Sequence, residues 1–427
     1  MKDLLKEVLK HEVYPAMGCT EPVAVAFAAA TAGSLLKGRT ASVLVRTDPG
    51  TYKNGLAVAI PNTRGEKGNL LAAAVGAVVR RPELGAELFS GLPRARLAEA
   101  SALVKAGRAR IEVDYSRRGI YISTEVRAGS DRAVCVLEGG HKQVSLLKLN
   151  AKFIIKAPGR SGAKPRLPYK EALRKASFRD LFRAAERVTP EELAYIKKGV
   201  EMNLAAAREG LKLKKVGYYV QDLIKKGYLK RDVISEAKLT AAAATDARMA
   251  GVPVPVMSSG ESGNQGVVAV LVPWLVGKAF KVPERRILKS IALSHLVNSY
   301  IKVFTGELAP ICGCAVAAGV GASVAIAWQR GGADPRRTAL AVNTVISDIG
   351  GMLCDGAKSG CALKVASSAD SAIRAAWMAV HGEGITDEEG FVGRTAEETI
   401  RNISLISTAG MDKVDRIILD IMSAKRP

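Results

Sequence analysis

The chain has 427 residues, 48% hydrophobic and 24% charged. This is enough apolar material for a sizeable core and about two domains, and it excludes wholesale disorder. A formal net charge of +22 raises nucleic acid as a partner, but the basic residues are spread along the chain without aromatic interleaving or a recognition motif, so nucleic acid is not expected as the primary partner.

The N-terminal run to about residue 38 reads as helical, interrupted at Pro15–Glu21 and restarted at Pro22, which suits a first helical turn with Cys19 or Thr20 near the N-cap. It carries no secretory signal, so a cytoplasmic location is expected. Strand-like alternation follows at 41–47, 109–113, 119–126, 132–138 and 143–149, with helices predicted over 69–80 and 93–106. A basic Pro/Gly-rich segment, 156–170, reads as a linker. Beyond it the chain is helical almost to the end, with Thr189 and Pro190 marking one helix start. The apolar stretch 267–276 is too short to span a bilayer, and 309–328 is rich in Gly, Ala and Cys, so a buried helix is expected there and no membrane partner. The reading is an α+β protein: a discontinuous helical catalytic domain (1–38 and 157–427) with a smaller α/β-sandwich-like domain (39–156) inserted.

Of the six cysteines, Cys135 alternates within a strand and reads as core. The others fall in three glycine-flanked segments: GCTEP at 18–22, PICGCAVAAG at 310–319 and CDGAKSGC at 354–361. Reduced thiols clustered beside glycines and helix starts point to metal or catalysis, because exposed backbone N–H groups offset thiolate charge. Cysteine-only ligation suits iron–sulfur or zinc. The loop 257–266, MSSGESGNQG, can wrap a carboxylate with hydroxyl, amide and backbone donors. DPGTYKNG at 48–55 reads as a turn. His295 and Lys302, seven residues apart, share a helix face.

Taken together, GCTEP, DPGTYKNG, SGESGNQG, CGCAVAAGVGAS, CDGAKSGCALK and the ending GMDKVDRIILDIM resemble the L-cysteine desulfidase family across essentially the whole chain. The helical part is similar, more distantly, to the catalytic domain of iron–sulfur L-serine dehydratases. The resemblance implies an oxygen-sensitive [4Fe–4S] cluster on three cysteines. Cys19 is the first ligand, Cys312 or Cys314 the second with Cys312 preferred, and Cys354 the third; Cys361 stands as a substitute. It implies β-elimination from L-cysteine to hydrogen sulfide, ammonia and pyruvate, with L-serine or L-threonine dehydration as the close rival. The expected base is Lys358, Asp355, His295 or Lys302. Ser259, Ser262, Asn264 and Gln265 are expected to grip a small amino-acid substrate, with Asn54 reaching in from the inserted domain. A homodimer is compatible with this reading. A basic scaffold carrying a structural metal is the non-enzymatic alternative.

Overall fold

The computed structural model describes residues 3–117, 119–156 and 167–425. Residues 157–166, most of the expected linker, lie outside them. The chain opens with α1 (Leu4–Glu12), the two-residue strand β1 (Pro15–Ala16) and α2 (Thr20–Gly33). A mixed layer follows: β2 (Ser42–Thr47), α3 (Pro49–Gly55), α4 (Asn69–Val79), α5 (Arg94–Lys105), β3 (Ala109–Val113), β4 (Tyr121–Ala128), β5 (Asp131–Glu138), β6 (Val144–Leu149) and β7 (Lys152–Lys156). The helical part runs α6 (Pro168–Lys175), α7 (Phe178–Glu186), α8 (Pro190–Leu211), α9 (Val216–Lys225) and α10 (Val233–Met249). After β8 (Val256–Met257) come α11 (Gly263–Ala279), α12 (Glu284–Thr305), a π-helical segment (Cys314–Gly319) leading into α13 (Val320–Gly331), α14 (Pro335–Ile349), α15 (Cys361–Val380), α16 (Ala396–Leu405) and α17 (Val414–Ala424). The expected α+β class is borne out.

Strands β3-β2-β4-β5-β6-β7 form one sheet, antiparallel except for the β2–β3 pair. That parallel pair needs a long crossover, supplied by α3, α4 and α5. Alternation fixes the inner face: Ile122, Thr124 and Val126 of β4 and Ala133, Cys135 and Leu137 of β5 are fully buried. Cys135 is thus a core residue, as its position in the pattern implies. β7, which periodicity did not reveal, is exposed along its whole length and closes the sheet as an edge.

α2 is buried on nearly every side, and its apolar residues share one core with α4 and the sheet. The expected division after residue 38 therefore follows a helix packed on the sheet layer. The two helices approach closely because both are Ala-rich; a Cβ on Gly76 would collide with the Ala26 carbonyl. α1 belongs to the other side, where Leu4, Leu5 and Val8 join the core built around α12. Two expected helix starts fall where read, though only the first is capped by a side chain. Thr189 and Glu192 form a reciprocal capping box on α8, and Cys19 is the N-cap of α2. DPGTYKNG is a helix rather than a turn: Asp48 caps α3 by accepting from the Thr51 N–H at 2.9 Å, and its other oxygen accepts from the Tyr121 N–H. Among the described residues no helix is long and apolar enough to cross a membrane.

Candidate active site

Short pairings, most of them between backbones, bring the distant segments together. β1 pairs antiparallel with β8, Pro15 opposite Met257. The Glu261 N–H donates to the Glu12 carbonyl at 3.1 Å, and the Thr20 hydroxyl to the Glu261 carbonyl at 3.2 Å. These contacts seat the Cys19 segment on the 257–266 loop. On the far side, Ile311 bridges Leu353, the Cys312 N–H donates to the Met352 carbonyl, and the Cys354 N–H to the Pro310 carbonyl, both at 2.7 Å. Cys312 and Cys354 are thereby held on adjacent stretches. The π-helical turn after Cys312 widens the backbone at a place where such irregularities accompany function.

The result is a cavity of about 100 Å³ lined by Cys19, Cys312, Cys314, Cys354 and Cys361. Five of the six cysteines thus face one space. Among the described residues, no three His, Cys, Asp or Glu side chains are set to grip a single metal ion. A larger groove of about 800 Å³, between α7 and the N-terminal ends of α14 and α16, is lined by no cysteine.

The thiols sit in unlike electrostatic surroundings. Burial and the charge of Glu21 push the Cys19 thiol well above its ordinary pKa, and its Sγ donates to Glu21 Oε2 at 2.8 Å. Burial likewise raises Cys361, to about 11, and Cys354, against the nearby Lys53 ammonium. Cys312 is the exception: the hydrogen bond from Cys314 pulls its pKa to about 6 against burial, helped by the Ala315 N–H and Lys364.

Charged groups form the rest of the lining. His141, on the β5–β6 turn, meets Glu261 at 3.2 Å. Burial opposes the imidazolium, yet the hydrogen bond and charge of Glu261, with Glu21, raise its pKa. Burial would raise Glu261, but His141, Lys170 and Lys302 outweigh it and hold the carboxyl at about 2. Glu261 adopts a left-handed backbone, φ 61°, uncommon for a residue with a Cβ and typical of places where strain accompanies function. Arg248 of α10 lines the same cavity, made possible because a Cβ on Gly263 would collide with its guanidinium.

Of the expected site residues, Cys19, Cys312, Cys354, Ser262, Asn264, Gln265, Asn54 and Lys302 all line the cavity. Asn54 donates to Glu21 Oε1 at 3.0 Å, and Lys302 donates to the Gly260 carbonyl. Ser259 and His295 do not reach it. They bond to each other at 2.8 Å in the layer behind, Asn298 completing the set, and burial lowers His295 to about 3. Lys358 and Asp355 form an ion pair outside the lining. Asp355 also accepts from Lys364, which does line the cavity. Glu21, His141, Arg248 and Lys364 were not singled out from sequence. Glu21 lies inside GCTEP, and Arg248 with Asp246 interrupts an otherwise Ala-rich buried helix, so both left a trace. His141 left none.

Residues 99–420 match the serine dehydratase alpha chain family. The chain belongs to that family. The serine dehydratase alpha chain match covers Cys312, Cys354 and the 257–266 loop, while Cys19 lies N-terminal to it. At full length the chain is 54% identical to a UPF0597 protein of Geobacter sulfurreducens over 98% of each sequence. It is 53% identical to one of Elusimicrobium minutum over 99% of each, and 38% identical to one of Alkaliphilus oremlandii over 99% of each. Membership of the serine dehydratase alpha chain family makes this a lyase-like chain of dehydratase type.

Proposed function

We propose that the chain is an iron–sulfur lyase that eliminates sulfide from L-cysteine, giving pyruvate and ammonia. The observation that carries this reading is the convergence of five cysteines from three separate segments on one small cavity lined by charged and amide groups. The donor set fits the group. Zinc or any lone ion draws its ligands to within about 2.3 Å of one point, whereas a cluster spreads its thiolates over several irons. Cys19, Cys312 and Cys354 would hold it, each from a different segment, and Cys314 and Cys361 stand beside them. When bound through three thiolates, a [4Fe–4S] cluster keeps one iron open as a Lewis acid for the leaving group.

The chain's own groups supply the rest. Glu21 already accepts the Cys19 S–H and can carry its proton away as the thiol becomes a ligand. Asn264, Gln265 and Ser262 present amide and hydroxyl groups to the substrate. Lys302, the one expected base in the lining, is assigned the α-proton. The Cα–H and Cβ–S bonds break, a Cα=Cβ bond forms, and the released enamine tautomerises and hydrolyses in water.

The family match favours a second reading, elimination of water from L-serine or L-threonine, because a hydroxyl leaves by the same route as a thiol. Anaerobic reconstitution with iron and sulfide, followed by sulfide, ammonia and pyruvate assays on the three amino acids, separates the two. Sulfide from L-cysteine with a catalytic efficiency above that for L-serine supports the desulfidase; the opposite ranking assigns a dehydratase. Cys19→Ala, Cys312→Ala and Cys354→Ala each lose colour and activity on this reading. A colourless protein with no lyase activity would remove it.

A further inference from the structure

Arg248 is 2% exposed and forms no ion pair among the described residues. Its Nη1 donates to Asn264 Oδ1 at 3.1 Å, and its Nε, also buried, has no partner. Elsewhere in the lining His141 is matched by Glu261 and Lys364 by Asp355, while Lys302 donates to the Gly260 carbonyl. A guanidinium taken out of water without a counter-ion is expensive, and a neutral amide oxygen does not compensate it. Such a group is retained where a ligand brings the missing charge. Arg248 lines the same cavity as Asn264, Gln265 and the cysteines, and the planar guanidinium fork matches a carboxylate.

We infer that Arg248 is the anchor for the α-carboxylate of the substrate. The inference rests on the amino-acid lyase reading and adds the specificity determinant that reading lacks. The acid end of the substrate lies against α10 and the start of α11, and its β-substituent is directed toward the cysteines. Asn264 is displaced or shared when the carboxylate arrives, so it tunes the anchor.

The test is binding of L-alanine, which has no β-leaving group and does not turn over, to the reconstituted protein by calorimetry, with iron counted per chain. Ethylamine, the same molecule without its carboxylate, is the control. Wild type is expected to bind L-alanine and not ethylamine. Arg248→Gln is expected to keep its iron and lose about 30-fold or more in L-alanine affinity, the scale of a charge-assisted bidentate contact. Arg248→Lys recovers part of it. Asn264→Asp is the decisive second variant, because it gives Arg248 an internal counter-ion. Its thermal midpoint should rise while L-alanine binding falls, a divergence that a purely structural arginine would not produce. Unchanged affinity in Arg248→Gln overturns the anchor alone, as does iron lost in step with binding, which would make Arg248 a counter-ion of the cluster. Wild type that binds no amino acid overturns the anchor and the lyase reading together.

Discussion

The Lys53 ammonium is 2% exposed, an unusual place for the most readily hydrated of side chains. It donates to the Cys354 carbonyl at 2.7 Å and pairs with Asp415 of α17, so one residue of α3 ties a cysteine loop to the C-terminal helix. Lys53→Met keeps the stem and removes the charge. It should destabilise the protein by about 2 kcal/mol, less than a fully buried pair because Asp415 is partly solvated, measured as a lower denaturation midpoint. A double variant with Asp415→Asn should recover part of the loss, since the carboxylate would no longer be stranded. His141 makes a pH prediction at the same scale. Its pKa is raised in the fold by Glu261 and Glu21 against burial and the Lys302 charge. The stabilisation it provides is complete below its ordinary value of 6.5 and is lost as pH rises through the higher folded value. Glu261, held near 2, contributes fully above its ordinary 4.5 and loses its contribution only as pH falls toward 2. The stability gap between wild type and His141→Gln should therefore be widest between those two ordinary values and shrink toward pH 9. A gap that grew with pH would contradict the pairing.

Pairing between elements decides whether the site exists. β1 and β8 are only two residues each, too short to hold by ladder alone. Ser258 reinforces them: its N–H donates to the Tyr14 carbonyl, its hydroxyl accepts from the Tyr14 N–H, and that hydroxyl donates to the Glu12 carbonyl. Ser258→Ala leaves the Tyr14 N–H unpaired and takes one of two donors from the Glu12 carbonyl, which keeps the Glu261 N–H, and should cost about 1–3 kcal/mol. Because this seam carries Cys19 to the cavity, the proposed iron–sulfur reading predicts that iron content after reconstitution falls more than thermal stability alone would explain. Pairings of this kind explain what could be read beforehand. The longer strands and helices were legible because each buries one face and so repeats with its own period. The cysteines were legible because glycine flanks and resemblance marked them. Long-range bonds left no periodic signal, so His141, brought from a sheet turn to Glu261, was invisible. Ser259 and His295 were plausible by type, but the Ser259 hydroxyl is engaged by His295 Nδ1 and Asn298 behind the cavity wall. β7 was missed because a wholly exposed edge strand has no inward face to alternate with.

At the scale of the whole molecule the net charge of +22 is a force acting on the fold. Several carboxylates are shared between cations: Glu99, Glu125 and Glu284 each meet two, and Asp355 meets Lys358 and Lys364. With 63 basic and 41 acidic residues, the surplus cations repel one another even when every acid is matched. Two opposite effects of salt follow. Screening weakens the surface pairs, which are worth about 0–1 kcal/mol each, and it also weakens the long-range repulsion. The pairs are short and partly shielded, whereas the repulsion acts across the whole surface. Raising ionic strength from about 0.01 M to about 0.15 M shortens the screening length from about 30 Å to about 8 Å, which removes most of the long-range term and little of the contacts. The thermal midpoint should therefore rise with sodium chloride over this range and then level off. A midpoint that fell steadily with salt would mean that the ion pairs, not the surplus, dominate the surface. On the proposed lyase reading the substrate is a zwitterion with no net charge to be steered, so the amino-acid KM is expected to change little over the range in which the midpoint climbs.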